Sequence, residues 1–137
     1  MCLGKKKILK KTKLPQYVSF TDPLTIADLE AVGCYKDKSD RAMPDLYANF
    51  RPYKDWNNMN ATILQCAYVA RDKGYEYFGV QFHGECYSSV DAAETYDKYG
   101  VQTNAELCWA NVGGSMTNFV YRIPQVSSEK KLRKLHW

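Results

Sequence analysis

The clearest helical period in the chain falls near its middle. Ile63, Cys66, Ala67 and Ala70 recur at the spacing that lines one helix face, and Gly74 follows at the usual C-terminal stop. Thr62-Ile63-Leu64-Gln65 has the form of a capping box, in which Thr62 at the N-cap and Gln65 three residues on satisfy amides that a helix start leaves unpaired. The pattern predicts a helix over 63–73, with Cys66 on its buried face. Beyond Gly74 the period changes to two. The run from Tyr75 to Tyr87 reads as one long strand, with Phe78, Val80, Phe82 and Cys86 on one face. Tyr77, Gln81, His83, Glu85 and Tyr87 fall on the other. The apolar face is expected to pack on the helix.

Elsewhere the pattern is weaker. Val18-Ser19-Phe20 reads as a strand and Thr25 to Glu30 as one helical turn running toward Gly33, while 33–56, broken by Pro44 and Pro52, shows no clear period. Val90 to Lys98 reads as a second short helix closed by Gly100. Phe119 to Ile123 reads as a terminal strand ended by Pro124. The expected organisation is a basic, disordered leader over 1–17, one module over 18–124 with its core at 33–123, and a basic tail over 125–137.

Composition fits one soluble domain, at 45% apolar and 25% charged residues. Tyrosine is abundant, with eleven, and its flat ring and hydroxyl suit both half-buried strands and binding surfaces. The net charge of +4 raises the question of nucleic acid, but the excess sits at the two ends, in the lysines of 5–13 and in Lys130, Lys131, Arg133 and Lys134. Between Gly33 and Ile123 acidic and basic residues nearly balance, which argues against a nucleic-acid surface on the module. No stretch has the apolar length of a membrane span.

Cys2 lies in the leader; Cys34, Cys66, Cys86 and Cys108 lie in the module, widely spaced and without a C-x-x-C pair. Zinc would need tighter ligand clusters, so no metal is expected, and two disulfides are the better reading. Three pairings are possible. Packing of the strand on the helix brings Cys86 toward Cys66, which is consistent with a Cys66–Cys86 bridge and leaves Cys34 with Cys108 by elimination. In the chain-entropy treatment these would contribute about 3 and about 4.5 kcal/mol. The leader lacks the apolar core of a secretory signal and taken alone points to the cytosol. The disulfides point outward. The two agree if Met1 marks a mis-assigned start or the edge of a fragment.

Several stretches together resemble the WSC domain. They are Gly33-Cys34-Tyr35-Lys36-Asp37, Arg41-Ala42-Met43-Pro44, the helix with Cys66, Gly74-Tyr75-Glu76-Tyr77-Phe78-Gly79-Val80 leading to Gly84-Glu85-Cys86, and Val120-Tyr121-Arg122-Ile123. Tyr99-Gly100 through Asn104 and Thr117-Asn118-Phe119-Val120-Tyr121-Arg122 are similar to the WSC-type repeats of marine invertebrate proteins. The chain departs from the family where further cysteines are usual, with Ala70, Ser88 and the stretch Asn111 to Ser115 in their place. The resemblance implies an α+β fold, a small disulfide-stapled, apple-like domain with an antiparallel sheet and one main helix packed across it. It also implies a secreted or cell-surface glycoprotein module that binds carbohydrate or, in the alternative, an extracellular protein.

The residues accommodate such a role. Tyr77, Gln81, His83, Glu85 and Tyr87 would give one strand face both stacking surfaces and hydrogen-bonding groups, so that alanine at Tyr77 or Tyr87 would abolish sugar binding. Tyr47, Tyr53 and Trp56 form a second candidate patch. Asn60-Ala61-Thr62 is a glycosylation sequon, placed in a loop ahead of the helix. No cofactor motif occurs, and alternation separates His83 from Cys86, so the reading is non-catalytic.

Overall fold

The computed structural model describes residues 23–124. The leader, the 18–20 strand and the 125–137 tail lie outside these residues. A 3-10 turn at Ile26–Asp28 leads into strand β1, Glu30–Lys36, and strand β2 follows at Asp45–Asn49. Helix α1 spans Met59–Lys73, strands β3 and β4 span Tyr77–Gln81 and Glu85–Ser88, and a short helix α2 covers Ala92–Thr95. Strand β5, Thr117–Arg122, returns through the middle of the sheet. The five strands are antiparallel in the order β1-β5-β3-β4-β2.

Helix α1 ends as its sequence predicts: Gly74 takes a left-handed φ of 81° and its N–H reaches back to the Ala70 and Arg71 carbonyls. Its start differs. Asn58 occupies the N-cap, and Thr62 lies inside the helix and is buried, so it caps nothing. Burial of the Met59 side chain extends the helix one turn upstream of the local capping signal. Asn60 consequently sits in the first turn rather than in a loop, and is exposed. Ile63, Cys66, Ala67 and Ala70 pack on Phe78, Val80, Cys86, Tyr121 and Ile123, the main core. Burying side chains of this size stabilises the fold by roughly 1.5–3 kcal/mol for each of the larger ones.

The long strand expected over 75–87 is instead a hairpin. Gly79, Val80 and Gln81 pair with Tyr87, Cys86 and Glu85, and the chain turns through Phe82, His83 and Gly84. Val80 and Cys86 still share the helix-facing side, as alternation predicts, but Phe82 leaves the core for the turn and is exposed. The disulfides Cys66–Cys86 and Cys34–Cys108 are both present, the first joining α1 to β4 and the second joining β1 to the 105–111 segment.

The second face of the sheet is also covered. Met43, Tyr87, Ala92 and Val120 form a smaller core there, with Val32, Tyr35, Tyr77 and Tyr96 packed against it. The sheet is thus sandwiched between α1 on one side and the Met43 and α2 segments on the other.

Candidate functional site

Covering the second face decides the fate of the sequence-predicted strand-face residues. Gln81 is 2% exposed and Tyr87 5% exposed, so neither is free to stack on or bond to a ligand. Gln81 Nε2 donates to Asp37 Oδ2 at 2.9 Å and to Asn118 Oδ1 at 3.2 Å, and its Oε1 accepts from Arg41 Nη1 at 3.1 Å. The buried Asp37 carboxylate also accepts from the Ala42 amide at 2.9 Å and pairs with Arg41 at 3.2 Å. This network ties the 37–43 segment to the sheet, and buried polar groups satisfied in this way are costly to disturb. Tyr77 stacks on Tyr96 with centroids 5.4 Å apart, and Tyr96 meets Tyr35 edge-on at 5.1 Å. Burial, opposed by the Arg122 charge, leaves the Tyr77 hydroxyl titrating above its ordinary range. Glu85 accepts from the Tyr87 hydroxyl. Tyr47 likewise points inward, donating to the Cys66 carbonyl at 2.8 Å, and burial raises its hydroxyl well above its usual pKa.

Among the strand-face candidates His83 separates from the others, because it lies in the turn. There it joins Trp56, with ring centroids 5.1 Å apart, and Trp56 in turn meets Trp109 at 5.8 Å. Phe82 flanks His83 at 6.3 Å. Trp56 and Trp109 remain 51% and 50% exposed, and nearby Tyr53 is 77% exposed. Large aromatic surface left in water in one cluster is the informative kind of exposure.

Three segments build this cluster. In the first, β2 ends at Asn49, whose side chain accepts from the Arg51 amide at 3.0 Å and starts the 3-10 turn Arg51–Tyr53, with Pro52 fixing its entry. The second is the hairpin tip. Gly84 N–H donates to the Gln81 carbonyl at 3.1 Å across a turn in which Phe82 and His83 both have left-handed φ, 51° and 64°. This turn class normally takes Asn-Gly, because side chains with a Cβ are strained there. Two aromatic residues held in it are worth roughly 1–3 kcal/mol of strain each. The amides of Phe82 and His83 donate to the Gly114 and Gly113 carbonyls at 3.0 Å. Space is tight on both sides: a Cβ on Gly84 would lie 2.7 Å from the Arg51 nitrogen, and one on Gly113 only 1.9 Å from the Thr117 carbonyl oxygen. The third segment, 105–111, is anchored by Cys108 to Cys34 and turns at Ala110 and Asn111, again with left-handed φ of 54° and 64°. The Tyr121 hydroxyl donates to the Asn111 carbonyl at 2.6 Å, and that turn holds Trp109 against Trp56.

Two cations lie against the rings of the cluster. Arg51 lies over the Phe82 ring at 3.6 Å and Lys54 Nζ lies 5.0 Å from the Trp56 centroid. Burial, followed by the Lys54 and Arg51 charges, holds the His83 imidazole below its ordinary pKa, so it is neutral at pH 7 and offers one donor and one acceptor. Sequence reasoning placed Trp56, Tyr53 and His83 among the candidates but in two separate patches. It missed Trp109, Phe82, Arg51 and Lys54. Gly84 just after Phe82-His83 was the local sign of a turn, whereas nothing adjacent to Trp109 marks its approach to Trp56.

At the other end of the sheet a shallow groove is lined by Lys73, Tyr75, Glu76, Tyr77, Ser89 and Val90. Its one carboxylate, Glu76, is already paired with Arg122, which also binds Glu30. Tyr75 donates to Asp45, a bond that lifts its hydroxyl to about 12. Among the described residues no cluster of three or more His, Cys, Asp or Glu is arranged to hold a metal, and no helix is long and apolar enough to cross a membrane.

No curated protein and no solved structure matches the chain at a significant level. A family model for the WSC domain matches residues 31–118, more than half of the sequence, a span that holds both disulfides and all three segments of the aromatic cluster. The chain therefore belongs to the WSC domain family, a class of carbohydrate-binding modules of the extracellular type.

Proposed function

We propose that this module binds carbohydrate without transforming it, and that the ligand meets the surface formed by Trp56, His83 and Trp109, with Tyr53 and Phe82 at its edge. The observation that carries the reading is the convergence of two half-exposed tryptophans and a histidine held on a strained turn. A pyranose ring presents C–H groups on its faces and hydroxyls around its rim. Flat aromatic faces suit the former, and an imidazole that both donates and accepts suits the latter. Left-handed non-glycine residues persist where the surrounding structure enforces them, and such strain clusters at ligand sites. The disulfides favour an oxidising compartment, and Asn60, exposed at the start of α1, is available as a glycosylation site for a chain that takes that route.

Saturable binding to polysaccharides on a glycan array tests the proposal. Wild-type protein is expected to bind, and Trp56→Ala to lose at least about tenfold in affinity while keeping its fold. A uniformly negative array from the folded protein would overturn the carbohydrate reading and leave a protein-interaction module of the same architecture.

A further inference from the structure

Arg51 and Lys54 differ from three other cations of the module, which pair with carboxylates. Arg41 pairs with Asp37, Lys98 with Asp40, and Arg122 with Glu30 and Glu76. Among the described residues neither Arg51 nor Lys54 pairs with a carboxylate. Lys54 Nζ instead donates to the Arg51 carbonyl at 3.1 Å, and the buried Arg51 Nε has no hydrogen-bond partner. Both cations lie on rings of the aromatic cluster, Arg51 on Phe82 and Lys54 on Trp56. Three carboxylates lie on the same segments, and none of them pairs with either cation: Asp55 accepts from the Asn57 amide, Glu85 from the Tyr87 hydroxyl, and Glu106 is exposed at the start of the third segment. The charged neighbours that shift His83 are both cations.

A neutral sugar settling on Trp56 would strip water from Lys54 and Arg51 and return only hydroxyl oxygens as acceptors, which compensate a desolvated cation less than a carboxylate or sulfate does. Desolvating a charge is costly unless a counter-charge arrives with the ligand. We propose that the surface selects anionic polysaccharides, whose sugar rings carry carboxylate or sulfate groups, with Lys54 and Arg51 as the charge-reading residues. This inference rests on the carbohydrate reading above.

The test uses the full chain against three probes: polygalacturonate for carboxylate, chondroitin sulfate for sulfate ester, and laminarin as a neutral glucan. The lysine-rich ends attract any polyanion, so Trp56→Ala, which retains those ends, sets the background. Above that background, at least one acidic polymer is expected to bind about tenfold tighter than laminarin and to weaken steeply with added salt. Lys54→Gln and Arg51→Gln should each lower acidic-polymer affinity by roughly three- to tenfold, and Lys54→Gln should lower laminarin affinity by less than that. Arg51→Gln also removes the stack on Phe82, so Lys54→Gln carries the charge test without touching the turn. Laminarin binding as tightly as the acidic polymers, with no effect of Lys54→Gln, overturns the charge inference and leaves the carbohydrate proposal standing. No acidic polymer binding above background overturns the charge inference, and a uniformly negative glycan array beside it overturns the carbohydrate proposal as well.

Discussion

The two sides of the β3–β4 hairpin make an instructive pair. Along its strands, Tyr77, Gln81 and Tyr87 look like a mixed aromatic and polar binding face, yet a second small core covers them and their polar groups are engaged within the protein. At its tip, a turn with neither glycine nor asparagine at its two central positions holds Phe82 and His83 out beside Trp56 and Trp109. Both places combine aromatic rings with polar groups. What separates them is coverage and strain: one set is consumed by the fold, and the other is held in water at a local energetic cost.

That contrast can be broken or sharpened by substitution. The largest effect is expected from Cys34→Ala with Cys108→Ala, which should lower stability by about 4.5 kcal/mol in urea denaturation. It should also weaken ligand binding, because it frees the segment that carries Trp109. Removing Cys66–Cys86 should cost about 3 kcal/mol and weaken affinity less than loss of Cys34–Cys108, since it joins α1 to β4 and anchors neither tryptophan. On the covered face, Gln81→Leu should cost about 2 kcal/mol by depriving Asp37, Arg41 and Asn118 of partners, without changing binding. Tyr87→Ala belongs with it: the loss should appear in the melting temperature, and a loss of affinity at unchanged stability would restore the strand face as the site. At the tip the signs reverse. Phe82→Asn together with His83→Gly should raise stability by about 1 kcal/mol through relief of the turn, while reducing affinity.

The smallest effect concerns His83. Its folded-state pKa lies below the ordinary 6.5, so the unfolded chain takes up this proton first as pH falls. His83 therefore contributes no pH dependence well above 6.5 and a loss of stability that grows as pH drops from 6.5 through the folded pKa. Lys54→Gln should move the imidazole titration upward when followed by NMR. An unchanged midpoint would remove Lys54 from the local field.

Much of the main core was legible. Ile63, Cys66, Ala67 and Ala70 carry a helical period that the sheet reads directly, and Gly74 marks a stop that any context would respect. The start of α1 was not, because Met59 is drawn in by tertiary burial that outweighs the local capping chemistry of Thr62. Strands β1 and β2 escaped notice as edge strands with bulged registers and mixed exposure, which blurs a period of two. The hairpin was hidden because Phe82 and His83 continue an alternation that the backbone abandons. The cluster itself was out of reach, since Trp56, His83 and Trp109 lie far apart in sequence and meet only through the packing of β2, the hairpin and the Cys108 anchor.

Backbone-amide chemical-shift mapping during titration with the tightest-binding polysaccharide is the most direct test of where the ligand sits. The account predicts that perturbed amides gather in residues 51–56, 82–84 and 106–111, with the neighbourhoods of Tyr35, Tyr77, Tyr87 and Tyr96 unmoved. Perturbations centred on those four tyrosines, with the three tip segments silent, would contradict it.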